Sequence, residues 1–327
     1  MPDDAPTNPA FTYRAGVRMS DTVVTCDGWA STDLLFLSHA PVLSPHGRHG
    51  LPAVGRGRRQ LLATDATLTL LGPVGDRLRP HALLAPLGRP FALGDLRLEV
   101  VSSGHLPGAA SLLSDKAGRR LLYAGPIGDG ADLRTAHAVC LDARWTGSGP
   151  AVPARSEAEA AVCAAAADRL EGQAPVLLID PPALAPAIAQ VLADAGLAVR
   201  AHRKILEAFG VYRRALGLTR PASGVQRFAG RLAPGDLLLW PAGAALPAQA
   251  LKPLRRVVPV GPQAPGEGGV PFPFGADAAR ALAYVAATGA SEVALVGAPD
   301  EHLLGLLQGR GLAAYRLGPA RQMPLFR

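Results

Sequence analysis

The feature that most constrains the fold is a change of rhythm near the middle of the chain. From Phe11 to about Gly147 the apolar runs are short, such as 34–37, 96–102 and 120–124, and Gly, Pro or Asp closes each one. Such punctuated runs predict strands, and helical periodicity is scarce there. After the Pro/Gly stretch 147–153 the pattern becomes helix, strand, helix. Ser156 with Glu159 predicts a capping box and a helix to about Leu170. Strands follow at 176–180, 198–200 and 237–240, with helices at 183–195 and 204–216 between them. That alternation predicts a parallel α/β layer. Residues 261–271, GPQAPGEGGVP, predict a linker. Beyond it come helix 276–287, strand 293–296, helix 301–308 and strand 313–317. Residues 1–10 predict a disordered start.

Half of the 327 residues are hydrophobic and 18% are charged, so wholesale disorder is excluded. No stretch of about 18 apolar residues is free of charge or Pro/Gly breaks, so no membrane helix is expected. The start MPDDAPTNPA is acidic and polar, without the basic and apolar stretches of a secretory signal, so none is expected. Cys26, Cys140 and Cys163 lie far apart and form no C-x-x-C pair, which fits a reduced, cytoplasmic protein without a thiolate zinc site. Net charge is +7, carried by arginine; Lys116, Lys204 and Lys252 are the lysines. A basic balance is compatible with a nucleic-acid partner, and equally with a compositional bias toward Ala, Arg, Gly and Pro. Neither a phosphate loop nor a dinucleotide fingerprint occurs.

Four strand ends carry candidate chemistry. His39 follows an apolar strand in Phe36-Leu-Ser-His-Ala-Pro-Val-Leu-Ser44. His105 sits in the tight loop of Ser102-Ser-Gly-His-Leu-Pro-Gly-Ala-Ala110. Leu122-Tyr-Ala-Gly-Pro126 ends a third strand and Cys140-Leu-Asp-Ala-Arg-Trp-Thr-Gly147 a fourth. In this order they resemble the β-CASP group of metallo-β-lactamase-fold nucleases, nearest its bacterial DNA-ligase-associated and mRNA 3′-end-processing exonucleases. The segments 197–206, 209–214, 272–278, 288–296 and 309–317 resemble the later parts of that family, so the likeness runs from about Phe11 to Phe326.

The resemblance implies an α/β fold: a metallo-β-lactamase αββα sandwich with an inserted β-CASP-like α/β domain. Its first part would be 1–150, the insert 151–255 and the closing segment 256–327. It also implies seven metal-ligand positions. His39 and His105 match two of them. Pro41, Leu43 and Ser44 stand where His, Asp and His are expected, Pro126 replaces the bridging aspartate and Gly297 the final histidine; Asp277 stands at the histidine of a separate family motif. Asp142 matches the acid after the fourth strand. A catalytic zinc keeps about three protein ligands, and a two-metal phosphodiesterase site needs a carboxylate bridging ions about 3.5–4 Å apart. His39, His105 and Asp142 are therefore expected to be vestigial, with no catalytic residue, metal or other cofactor.

Several alternatives stay open. His46 and His49 could join His39 and His105 in a single-metal site, giving a metal-dependent exonuclease with zinc; a solvated loop is the plainer reading, because no carboxylate has a place in that set. The basic runs Arg56, Arg58, Arg59 and Arg200, His202, Arg203, Lys204 could contact phosphates, or be ordinary solvated faces. Trp145 and Trp240 predict core, and Asp180 a turn. The function expected is that of an inactive, nucleic-acid-binding or structural subunit. Its partners would be DNA or RNA, an active nuclease or ligase, or a second copy, with no membrane.

Overall fold

The structure is a computed structural model. It describes residues 8–28, 33–40, 60–144, 151–168, 173–220, 222, 224–233, 235–248, 256–262, 264, 268–297 and 301–318. Three sheets organise these residues. The first follows chain order: β1 (Phe11–Tyr13), β2 (Val17–Met19), β3 (Val24–Cys26), β4 (Leu34–Phe36), β5 (Gln60–Ala63) and β6 (Ala82–Leu84). The second holds β7 (Phe91–Leu93), β8 (Leu96–Ser102), β9 (Ala110–Lys116), β10 (Arg119–Gly125) and β11 (Ala138–Asp142). It is completed by β18 (Glu292–Val296) and β19 (Ala313–Leu317), in the order β19-β18-β11-β10-β9-β8-β7.

These two sheets pack face to face. Phe11, Met19 and Phe36 of the first bury against Leu98, Leu112 and Tyr123 of the second. Side chains alternate across a strand, so Leu121 and Tyr123 point into that core while Leu122 and Ala124 point out. The outer faces are covered too. Leu35 and Leu61 pack under α1 (Asp65–Leu70) and α2 (Pro73–Leu78). Val139 and Val293 pack under α6 (Ala278–Thr288) and α7 (Glu301–Gln308). The result is four layers, helix, sheet, sheet, helix. Burial on both faces is why 121–124 and 138–141 read as unbroken apolar runs.

The third sheet is wholly parallel, in the order β14-β13-β15-β12-β16-β17. Its strands are β12 (Val176–Ile179), β13 (Val199–Ala201), β14 (Val225–Arg227), β15 (Leu237–Pro241), β16 (Val257–Gly261) and β17 (Val270–Pro271). α3 (Arg155–Ala167), α4 (Ala185–Asp194) and α5 (Arg203–Ala215) cover one face through Val162, Ile188, Leu192, Ile205 and Phe209. The chain makes this sheet between β11 and β18, which are neighbours in the second sheet.

Several sequence expectations need correction. Gly261 and 270–271, expected in a linker, belong to β16 and β17, so the segment from 256 first adds two strands to the third sheet. α3 begins at Arg155. Its amino end is held by the Glu157 carboxylate accepting from the Ala154 N–H at 3.2 Å, not by Ser156 with Glu159. Ala10, expected in a disordered start, is fully buried and donates its N–H to Glu292 at 2.6 Å. Residues 1–7 lie outside the described residues, as does Trp145.

Candidate functional site

β3 and β4 lie side by side, and their ends build the first half of the site. The Asp27 N–H donates to the Phe36 carbonyl at 2.9 Å, which sets Asp27 beneath Ser38. The Asp27 carboxylate then accepts three hydrogen bonds: from the Ser38 N–H at 2.8 Å, the Ser38 hydroxyl at 2.5 Å and the Tyr123 hydroxyl at 2.8 Å. Ser38 Oγ is also 2.8 Å from His39 Nδ1. Because the Ser38 proton goes to Asp27, its lone pair takes the Nδ1 proton of His39, which leaves Nε2 as the bare nitrogen of that ring.

His105 comes from the other sheet. Its loop closes on itself through Ala109 N–H to Leu106 O at 2.9 Å and Ser103 N–H to Ala109 O at 3.0 Å. The hydroxyls of Thr64 and Thr67, at the start of α1, both donate to the Gly108 carbonyl, at 2.7 and 2.9 Å. Gly104 is required: its φ is +68°, and a Cβ there would lie 2.4 Å from the Asp129 carbonyl oxygen. So held, the His105 ring meets His39 edge-on at 5.8 Å between centroids and Phe274 at 4.8 Å. His105 Nδ1 is sealed from solvent with no hydrogen-bond partner among the described residues. Burial pushes both imidazoles below their ordinary pKa, His105 the further; His39 and Arg144 add to that depression at His105, while Asp27 and Asp142 oppose it at His39.

Asp142 ends β11 and is buried. Arg144, two residues on, turns back and donates its Nε to Oδ1 at 2.9 Å and Oδ2 at 2.8 Å, with Nη2 closing on Oδ2 as well. Its backbone N–H donates to Oδ1 at 3.1 Å. The guanidinium stem passes over Gly297, where φ is +90° and a Cβ would sit 2.3 Å from Arg144 Cγ. No side chain fits there while Arg144 lies in this position. Pro41, Leu43 and Ser44 lie outside the described residues, and Asp277 and Pro126 have structural settings of their own. Asp277 caps α6 by accepting from Arg280 N–H at 2.8 Å, and it also holds the Val152 N–H at 3.0 Å. Pro126 is buried behind Gly125, whose φ is +61°.

The residues therefore bring together His39 and His105, with Asp142 close enough to raise the His39 pKa. Asp27, Ser38, Tyr123 and Arg144 complete the cluster and were not singled out from sequence. The Arg144 signal was its spacing of two from Asp142. Asp27 had none beyond ending a strand. Among the described residues, the donor set does not fit a two-metal centre. Two imidazoles are fewer than the three protein ligands of a catalytic zinc, the Asp27 carboxylate is engaged by hydroxyl and amide donors, and the Asp142 carboxylate is neutralised by Arg144. Among the described residues, no three His, Cys, Asp or Glu side chains gather as a metal-binding group.

Arg203 and Lys204 are exposed on the first turn of α5, where Arg203 pairs with Glu207 at 3.2 Å. His202 caps that helix by accepting from the Lys204 N–H, and its ring meets Trp240 edge-on at 4.5 Å. Trp240 is 8% exposed and belongs to the core. Arg56, Arg58, Arg59, His46 and His49 lie outside the described residues. Among the described residues, no helix is long and apolar enough to cross a membrane.

The fold and site define a mixed α/β protein with several sheets and seven described helices. No family model matches the sequence, and no curated protein matches it. A crystal structure of a protein of unknown function from Enterococcus faecalis V583 is similar, with a TM-score of 0.60 and 12% identity over 89% of this chain and 80% of that one. At that identity the likeness shows a shared fold alone.

Proposed function

We propose that this chain is a hydrolytically silent relative of the metallo-β-lactamase-fold β-CASP nucleases, acting as a nucleic-acid-binding or structural subunit of a nucleic-acid-processing assembly. The observation that carries the reading is the closure of Arg144 on Asp142 beside the His39–His105 pair. A guanidinium fixed on the carboxylate supplies, permanently, the positive charge that an exchangeable ion would bring to such a cluster. The four-layer sandwich, with a parallel α/β sheet inserted between β11 and β18, supports the family assignment. The exposed Arg203 and Lys204 support phosphate contact.

The test is elemental analysis of chelator-free protein together with assays on single-stranded and end-labelled DNA and RNA. Less than a tenth of an equivalent of zinc, iron or manganese, with no cleavage, is expected. A stoichiometric metal with cleavage abolished by His105→Ala would overturn the proposal in favour of a metal-dependent exonuclease.

A further inference from the structure

A cavity of about 250 Å³ opens between the two packed sheets, next to the Arg144–Asp142 pair. Tyr13 and Val17, in β1 and β2, and Val296 and Leu317, ending β18 and β19, line it. Ligand pockets commonly run to about 300–1,000 Å³, so this one suits a molecule of fragment size and is too small for a nucleotide.

Its lining is unevenly charged. Asp27, Asp142 and Arg144 reach it. Arg144 and Asp142 neutralise each other, which leaves the net negative charge with Asp27. The Tyr123 proton is given to Asp27, so the phenolic oxygen turns only lone pairs toward the space. Burial, and then Asp27, push that phenol well above its ordinary pKa, which keeps it protonated. Asp27 Oδ1 takes one donor, the Ser38 N–H, and retains acceptor capacity. Val17, Val296 and Leu317 make apolar walls, and Tyr13 adds aromatic lining. The polar end of the cavity therefore offers acceptors and negative charge, and its other walls offer apolar surface.

We propose that this cavity binds a small organic cation, an ammonium or amidinium group on an apolar body about the size of a benzyl ring. The cationic nitrogen donates to Asp27 Oδ1 and Tyr123 Oη, and the body packs on Val17, Val296 and Leu317. This assignment stands apart from nucleic-acid binding, because none of these residues belongs to α5.

The test uses the full chain and three ring-matched probes: benzylamine, benzyl alcohol and benzoate, titrated by calorimetry at pH 7.5. Benzylamine is expected to bind at least tenfold more tightly than either other probe. Asp27→Asn should remove at least tenfold of its affinity while leaving benzyl alcohol unchanged. Because Asp27 also anchors Ser38, Leu317→Lys serves as a second variant. It adds a cation to the wall without touching that network, and it should weaken benzylamine at least tenfold more than benzyl alcohol. Preferential binding of benzoate, equal binding of all three probes, no binding at millimolar concentration, or full benzylamine affinity in Leu317→Lys would each overturn the proposal.

Discussion

Arg144 folds its guanidinium onto the carboxylate of Asp142, with Nε 2.9 and 2.8 Å from the two oxygens. The Asp142 side chain is 6% exposed and that of Arg144 30%. Removing one member of a buried pair leaves the other charged and desolvated, at a cost of about 3–5 kcal/mol. Arg144→Ala should fall near the low end of that range, because its side chain keeps partial contact with water. Adding Asp142→Asn should recover part of the loss. Urea unfolding of both variants measures this; an Arg144→Ala protein as stable as the parent would show that the pair has no energetic role.

Gly297→Ala carries two penalties. The positive φ costs about 1–2 kcal/mol for a residue with a Cβ, and the new methyl group collides with Arg144 Cγ at 2.3 Å and Asp142 Oδ1 at 2.6 Å. With Arg144→Ala already present, the overlap with Arg144 is gone, while the backbone penalty and the 2.6 Å approach of the new Cβ to Asp142 Oδ1 remain. A double-mutant cycle should therefore give a coupling of about 1–2 kcal/mol; strict additivity would separate Gly297 from the ion pair.

Tyr123→Phe keeps the edge-on packing of the ring on Phe36, at 6.4 Å, and deletes one donor to Asp27. A hydrogen bond to a charged acceptor is worth about 1.5–3 kcal/mol. A loss in that range is expected by denaturation, with the far-ultraviolet circular dichroism unchanged.

The imidazoles of His39 and His105 are held neutral, their folded pKa values lying below the ordinary 6.5. The unfolded chain then binds more protons than the folded one as pH drops below that value. Their contribution is complete above pH 6.5 and is lost on acidification toward the folded pKa values, at no more than about 1.4 kcal/mol per pH unit for each ring. In His105→Gln the slope of stability between pH 6.5 and 5 should flatten; an unaltered slope would assign the acid sensitivity to other groups.

Phosphate contacts release counterions, so affinity for a single strand should fall as salt rises. Arg203→Ala and Lys204→Ala should each lower the magnitude of the log–log salt slope by about 0.7, without changing sequence preference. Filter binding across a salt series reads this directly. Unchanged slopes in both variants would move the contact surface away from α5.

How much of this could be read in the chain depended on length. Strands such as Leu96–Ser102 and Ala313–Leu317, and the helix Arg203–Ala215, are long enough for their period to show. α1 and α2 have six residues each and meet at Gly72-Pro73, so neither completes two turns of pattern. β17 is two residues long inside a Gly/Pro-rich stretch, where composition spoke for a linker and pairing with β16 decided otherwise. In the site, His39 and His105 were visible because each ends an apolar strand. Asp27 was not, because its role comes from the parallel pairing of β3 with β4, which brings it under Ser38. Pairing between strands leaves no mark in either strand alone.

The neighbours Ala138–Asp142 and Glu292–Val296 are separated along the chain by the whole third sheet. While a ribosome is still extending the chain, β11 therefore has an unsatisfied edge until β18 emerges. The third sheet, whose strands follow one another in sequence, can be assembled first. Non-local pairings of this kind slow folding. Asp142 and Arg144 lie at that late-closing seam, so the ion pair reaches its buried setting only when synthesis has passed Gly297. A chain stalled before that point would expose an apolar strand edge, a natural target for chaperones or proteases.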